Sequence, residues 1–259
     1  MGQLETEIIK QFADRLAAGL QTTFDQSSTA NVVTLTPAAL DLVIYIYLPD
    51  AKQRCEQQHL RAIHIDYDVL LADTEKIYAR LLSLFGHGII IYARKTVVAR
   101  VDKRVSLDFI AEHHLQAPIP GKYRYGLFYA GELVSIALFS GGRHMRDQHA
   151  DYRSFELLRF CHKSGYRVVG GLSKLLKAFT QDFHPDDIMT YVDRDWAQDS
   201  NLRTLGFEEK GLLPPQSYWI TAGKRHVFKD AATLGNLRRD YPNGYLSYNS
   251  GSTKLLLTL

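Results

Sequence analysis

The stretch from Arg159 to Lys177 reads RFCHKSGYRVVGGLSKLLK, and it constrains the fold more than any other part of the chain. An alternating strand pattern, Ser154 to Cys161, leads into a turn at Gly170-Gly171. Leu172, Leu175, Leu176, Phe179 and Phe183 then recur at helical spacing, and a second strand follows at Asp187 to Asp193. Strand, glycine turn, helix and strand in this order belong to a layered α/β architecture. A helix start leaves backbone N–H groups unpartnered and carries partial positive charge. Glycines lack Cβ, so a ligand can approach the backbone closely. Residues Val169, Gly170, Gly171, Leu172 and Ser173, flanked by Arg167 and Lys174, therefore form a candidate site for a pyrophosphate. The same residues also fit a plain turn with Ser173 as a cap.

The surroundings extend this unit. Tyr123 to Tyr129 and Leu133 to Ser140 form a hairpin around Ala130-Gly131-Glu132. Ala197 to Leu205 reads as a short helix ended by Gly206, and Phe207 to Leu212 and Gln216 to Thr221 as strands. Ile89 to Val101 is one long or two short strands, and Ser106 can cap a helix running to Leu115. Upstream, Leu4 to Leu20 is an amphipathic helix, and Thr22 to Ala30 a polar loop. Strands follow at Asn31 to Leu35, Leu42 to Leu48 and Leu60 to Tyr67. Ala51 to His59 is a short polar helix and Asp73 to Phe85 a longer one, closed by Gly86 and Gly88. The division falls near residue 88: 1–88 a small α/β domain, 89–259 the larger one.

Composition sets limits. With 46% apolar and 23% charged residues the chain can bury a sizeable core. A net charge of +3 excludes a strongly basic nucleic-acid coat, though not a local patch. The two cysteines, Cys55 and Cys161, make no disulfide framework and no CxxC pair, and no HExxH occurs, so no metal is expected. The apolar runs are too short for a bilayer, and Met1 to Glu7 lacks a signal-peptide pattern. A cytoplasmic protein with no membrane partner is the expectation.

Several residues carry candidate chemistry. Glu156 lies on the strand before the glycine turn and is a candidate general base; an ion pair with Arg159 or Arg143 explains it equally. Arg143, after the hairpin, is a candidate for binding an acidic group, or a solvated arginine. Asp193, Arg194 and Trp196 cluster at a strand end, where an open sheet presents its ligand crevice. Asp193 would orient or deprotonate an amine, Arg194 hold a phosphate, and Trp196 stack on a base. The plainer alternative is a helix start capped by Asp193 or Asp195. Arg94 and Lys95 open a basic run to Arg104 that suits a nucleic-acid backbone or a solvated strand face. Tyr123, Tyr125 and Tyr129 are expected to pack rather than to stack on bases.

With these residues in place, the segment Lys122 to Thr221 resembles the GNAT acyltransferase superfamily. Its members carry an Arg-x-x-Gly-x-Gly/Ala turn at the head of a helix and a later Leu-Gly-Phe. Here the matching residues are Arg167-Val168-Val169-Gly170-Gly171-Leu172 and Leu205-Gly206-Phe207. Leu172 stands where the family has Gly or Ala, and Leu202 where many members place an acidic Tyr. A narrower resemblance covers about 89–259. It rests on Tyr152, Phe155-Glu156-Leu157, Val169 to Leu175, Tyr191 to Trp196 and the tail Asn243-Gly244-Tyr245. These residues look like the domain that follows a Vsr-like nuclease in phage and bacterial Hef-like homing endonucleases, with Mom-type DNA-modifying phage enzymes more distant.

The resemblance implies an α/β (α+β) fold: a GNAT-like central mixed, mostly antiparallel sheet flanked by helices. Residues 1–88 resemble a degenerate Vsr-like PD-(D/E)xK nuclease, with Asp41 in place but no Glu-x-Lys strand. It further implies an acetyl-CoA or other acyl-CoA donor and a nucleic-acid partner, DNA before RNA. The alternatives are a non-catalytic DNA-binding accessory module and a small-molecule N-acyltransferase.

Overall fold

The computed structural model describes residues 3–38, 40–51, 53–55, 61–145, 151–196 and 202–259. The chain opens with helix α1 (Gln3–Leu20) and strands β1 (Phe24–Thr29), β2 (Val32–Pro37), β3 (Leu42–Tyr47) and β4 (Arg61–Asp66). Helix α2 (Tyr67–Leu84), β5 (Ile89–Tyr92), β6 (Val97–Arg100) and α3 (Lys103–His113) follow. Next come β7 (Tyr123–Tyr129), β8 (Glu132–Phe139), β9 (Arg143–His144), β10 (Arg153–His162), β11 (Tyr166–Val169) and α4 (Gly171–Phe183). The last part holds β12 (Asp187–Asp193), β13 (Glu208–Leu213), β14 (Ser217–Thr221) and β15 (Lys224–Phe228). It ends with α5 (Ala231–Asp240), β16 (Tyr245–Tyr248) and β17 (Ser252–Thr258).

These elements form two compact units, each assembled from separated stretches. The first comprises Met1–Thr74, Val192–Ser200 and Leu212–Thr253. The second comprises Glu75–Tyr191, Asn201–Gly211 and Lys254–Leu259. Helix α2 loses helical geometry at Asp73 (φ −130°, ψ 31°), next to the first of these divisions.

In the first unit β1-β2-β3 is an antiparallel meander and β4 pairs with β3 in parallel. Strands β3 and β4 are almost wholly buried, which fits a near-continuous apolar run such as LVIYIY. One face of α1, with Ile9, Phe12, Leu16 and Leu20, is buried as its spacing predicts. The polar segment Thr22 to Ala30, expected as a loop, is instead strand β1. It is an exposed edge strand, so no apolar alternation marks it. Ala30 and Asn31, both at positive φ (49° and 62°), close its hairpin. A second sheet, ordered β15-β14-β16, carries the C-terminal part of this unit. Asp41 is exposed, and among the described residues no group of three or more His, Cys, Asp or Glu is placed to hold a metal. The polar helix expected at Ala51 to His59 falls mostly outside the described residues.

The second unit is built on a mixed sheet ordered β13-β17-β12-β10-β8-β7-β6, with β9 paired to β10. Strands β6 to β8 and β10 pair antiparallel, while β10 and β12 run parallel. Successive side chains of β8 point to opposite faces. Ile136 and Leu138 pack with Phe109 and Ile110 of α3. Phe139, on the other face, stacks on Phe179 of α4, with ring centroids 3.9 Å apart and planes 9° apart. Tyr125 and Phe155 meet Phe179 edge-on, a preferred aromatic geometry. Tyr123 and Tyr125 thus pack against α4, whereas Tyr129, beyond a bulge at Leu127/Phe128, is 38% exposed. Helix α3 is capped by Asp102, whose carboxylate accepts from the Arg104 N–H at 2.7 Å. The cap expected at Ser106 is displaced: Ser106 is buried one turn inside, donating to the Lys103 carbonyl. No described helix is long and apolar enough to cross a membrane.

Candidate active site

In the second unit, strands β10 and β12 pair over only three positions, Ser154↔Asp187, Phe155↔Ile188 and Glu156↔Met189. Beyond Glu156 the pairing ends, although β10 continues to His162. On its other side β10 stays paired to β8, with a register shift between Leu157 and Arg159. The extra residue, Leu158, bends the strand. A parallel pair that stops while both strands continue leaves main-chain groups of β10 facing an opening. Thr190 already fills part of it, its hydroxyl donating to the Leu157 carbonyl at 2.8 Å.

Glu156 stands at the point where pairing ends. Its N–H donates to Ser140 Oγ at 2.9 Å, and its carbonyl accepts from the Ser140 N–H at 2.9 Å. The side chain is half-buried, and its charge acts on Arg159, whose guanidinium is pushed below its usual pKa by burial and partly restored by Glu156. Nε of Arg159 is buried, with no hydrogen-bond partner among the described residues. Arg143 lies on β9, exposed and opposite Ser154.

The glycine turn leads into α4 as expected, but β11 precedes it. Tyr166 to Val169 pair in parallel with Ile89 to Tyr92 of β5, so part of the expected turn is a strand. Gly170 occupies the left-handed region (φ 76°, ψ 9°) and precedes α4, and among the described residues no side chain caps the helix. Val169, Gly170 and Ser173 are exposed and Leu172 is half-buried. Gly171 is buried for a packing reason: a Cβ there would lie 3.2 Å from His162 Cε1 and from Val168. His162 is held by Ser135, with Nδ1 2.9 Å from Oγ, and burial pushes its pKa down to about 4.

The two flanking cations serve the chain itself. Arg167 donates to the Gly86 carbonyl at 3.1 Å. Lys174 Nζ donates to the Ala93 carbonyl at 2.8 Å and to the Thr96 carbonyl. Those bonds fasten the tight 3-10 turn Ala93–Lys95 beside the start of α4, and a Cβ on Gly170 would sit 3.6 Å from Ala93 Cβ. Arg94 and Lys95, read from sequence as separate from the glycine turn, are both exposed in that same turn. Arg94 lies over the Tyr92 ring, 5.1 Å from its centroid. An uncapped helix start and two exposed cations thus share one surface.

The second candidate cluster belongs to the first unit. Asp193 accepts the Asp195 N–H at 2.9 Å, and its carbonyl accepts the Trp196 N–H at 3.1 Å. Arg194 donates to the Ser250 carbonyl at 2.9 Å. The helix expected after them lies mostly outside the described residues. Sequence reasoning offered the residue at the centre of this cluster only as a helix cap. Asp195 is buried and accepts from Ser250 Oγ at 2.5 Å and from Arg54 at 3.2 Å. Burial raises its pKa to about 6. A polar residue between Arg194 and Trp196 gave no local signal of this, but His64 and Asp66 inside a buried strand did.

No family model matches this chain, and no curated relative does. Solved structures do match, acetyltransferases among them. The ribosomal-protein-S18-alanine N-acetyltransferase of Escherichia coli is 12% identical with a TM-score of 0.39, over 63% of this chain and 93% of that one. Naa50 of Arabidopsis thaliana, in complex with a CoA-containing bisubstrate analogue, is 9% identical with a TM-score of 0.40, over 64% and 99%. A GNAT family acetyltransferase of Elizabethkingia anophelis with acetyl-CoA bound is 10% identical with a TM-score of 0.33, over 64% and 99%. At these scores the likeness fixes neither a family nor an activity.

Proposed function

We propose that the second unit is a GNAT-like transferase that passes an acyl group from an acyl-CoA-type donor to the amine of a nucleic-acid base or nucleotide. The observation that carries the reading is the parting of β10 and β12 after Glu156, in the unit where an uncapped α4 start lies beside Arg94 and Lys95. Free amide hydrogens at a helix start and two exposed cations suit a pyrophosphate, and Gly170 leaves the approach open. Arg167 and Lys174 would hold the glycine turn and the 93–95 turn in place. Bound there, an acyl-CoA supplies an activated thioester. Main-chain N–H groups of β10 beyond the parting would polarise a carbonyl, Glu156 would accept the proton of the attacking amine, and as the amide forms the thioester C–S bond would break, releasing a CoA thiolate that takes a proton from solvent. The nucleic-acid acceptor is supported by the resemblance to DNA-modifying phage proteins and by the exposed basic run. Calorimetric titration with acetyl-CoA tests the donor: binding that weakens when Arg94 and Lys95 become alanine is expected, and no binding by an intact fold would end the reading.

A second reading, a DNA-binding module without catalysis, is favoured by Leu202 at the position where an acidic Tyr is expected, and by the exposure of Arg94, Lys95, Lys103 and Arg104. Mass spectrometry of nucleosides from cells with and without the protein separates the two, because only a transferase adds mass.

A further inference from the structure

Two successive residues of β10 stand at the parting, and a hydroxyl holds each of them. Glu156 turns its main-chain N–H and C=O toward β8, where Ser140 takes both. Ser140 Oγ accepts the N–H and the Ser140 N–H donates to the carbonyl, each at 2.9 Å. Successive residues of a strand direct these groups to opposite edges, so Leu157 turns its own toward β12. There the Leu157 carbonyl accepts the Thr190 hydroxyl at 2.8 Å, in a buried hydrogen bond. Thr190 itself is only 6% exposed.

That hydroxyl stands in for a strand partner. The pairs from Ser154↔Asp187 to Glu156↔Met189 hold one register. Continued by two residues, the same register would set Leu158 opposite Tyr191. In a parallel ladder the Leu157 carbonyl would then accept the Tyr191 N–H. The pairing stops instead, although β12 runs on to Asp193. The next carbonyl of β10 is occupied as well, for Leu158 accepts from Arg159 Nη1 at 2.7 Å. Two consecutive carbonyls past the last pair are therefore held by side-chain donors.

We infer that Thr190 is a positioning residue: its hydroxyl keeps β10 and β12 apart, so that the acyl end of the proposed donor enters between them. The second clause rests on the transferase reading and the first does not. Without the hydroxyl, the buried Leu157 carbonyl lacks a donor, which is a costly state. The nearest remedy is the Tyr191 N–H, and taking it extends the pairing by one bond and narrows the opening. With the hydroxyl in place, the Leu157 oxygen is spent on a side chain and no longer turns a free negative end toward the opening. That favours a thioester oxygen, which gains negative charge as an amine adds.

The test is amide hydrogen exchange at Tyr191, read by NMR on the full chain without donor, followed by calorimetric titration with acetyl-CoA. In the parent chain the Tyr191 amide is expected to exchange faster than that of Met189, which lies within the paired stretch. Thr190→Val keeps the shape and removes the hydroxyl. It is expected to slow Tyr191 exchange roughly fivefold or more, the scale of one added main-chain hydrogen bond, and to weaken acetyl-CoA binding by about as much. Thr190→Ser restores the hydroxyl and is expected to restore both. A Tyr191 amide in the parent chain as protected as that of Met189 overturns the inference without recourse to any variant. So does a folded Thr190→Val with unchanged exchange, a Thr190→Ser that behaves like Thr190→Val, or slowed exchange with undiminished acetyl-CoA affinity. Slowed exchange in Thr190→Val, in a parent chain that binds no acetyl-CoA, supports the hold on the strands and refutes the transferase reading alone.

Discussion

Lys174 Nζ lies 2.8 Å from the main-chain carbonyl of Ala93, 81 residues away, and it also donates to Thr96. One ammonium thereby ties the basic turn to the head of α4. Lys174→Met keeps the aliphatic stem but leaves the Ala93 and Thr96 carbonyls short of a donor. Loss of a charged hydrogen-bond donor to part-buried acceptors costs about 1–3 kcal/mol. Urea denaturation is expected to show that loss. Acetyl-CoA binding is expected to weaken as well, since the turn bearing Arg94 and Lys95 is released. Full stability in the variant would show that the tie contributes nothing.

The two glycines make different predictions. Gly170, at φ 76°, needs a left-handed backbone, and alanine there costs about 1 kcal/mol of strain with no new clash. Gly171→Ala places a methyl 3.2 Å from His162 Cε1 and Val168. Overpacking of that kind costs about 1–3 kcal/mol. Denaturation is expected to rank Gly171→Ala as the more damaging. The reverse order would mean that His162 moves aside freely.

The pH dependence of stability follows from buried histidines. Burial lowers His162 to about 4 and His114 to about 3. His114 Nδ1 accepts the Gln116 N–H at 3.0 Å, which fits the neutral ring. Each pKa is depressed, so the unfolded chain takes up protons first. The stability these rings support is complete above pH 6.5 and is lost as pH falls toward 4 and 3, on the order of 3 kcal/mol for His162 and 5 kcal/mol for His114. In the first unit two groups oppose one another. His64 is lowered to about 4 and loses stability on acidification. Asp195 is raised to about 6, so the folded state gains as pH drops from 6 toward 3.8. Acid loss should therefore follow His114 and His162, and His162→Gln is expected to flatten the stability profile between pH 6.5 and 4. An unchanged slope in that variant would show that His162 titrates normally.

What was legible in the sequence was local. The period of Leu172 to Phe183 and the glycine pair announced α4 and its exposed start, and alternation around Ala130-Gly131 announced the β7–β8 hairpin. Pairings between distant segments left no such trace. Nothing in RVV shows that it becomes a strand against Ile90 to Tyr92, so Arg94 and Lys95 were not placed beside the glycine turn. The Arg54, Asp66, Asp195 and Arg225 cluster joins positions up to 159 residues apart. Strand β1 was invisible because an exposed edge strand needs no apolar side chains.

Arg94 and Lys95 lend themselves to a salt titration. If nucleic acid binds at this surface, each neutralised cation removes about one phosphate contact. DNA affinity measured against salt is expected to show a shallower slope in Arg94→Ala/Lys95→Ala, by about two contacts. A slope that does not change would place any DNA elsewhere.

Glu156 sits where β10 and β12 part, and two roles compete for it: proton acceptor, or charge partner of Arg159. They differ in what a neutral isostere does. Glu156→Gln retains shape and hydrogen-bonding capacity but cannot take a proton. If Glu156 is the base, kcat falls by roughly a hundredfold to ten-thousandfold, the usual contribution of a positioned base, while acetyl-CoA binds as before and the melting temperature holds. If Glu156 mainly balances the half-buried guanidinium of Arg159, the same change leaves that charge less compensated, so stability falls. Glu156→Asp then separates the roles further. A shorter carboxylate retains the charge for Arg159 but withdraws the base from its position, so it restores stability without restoring the rate. Parallel recovery of both would assign Glu156 to the support of Arg159 and remove it from the chemistry.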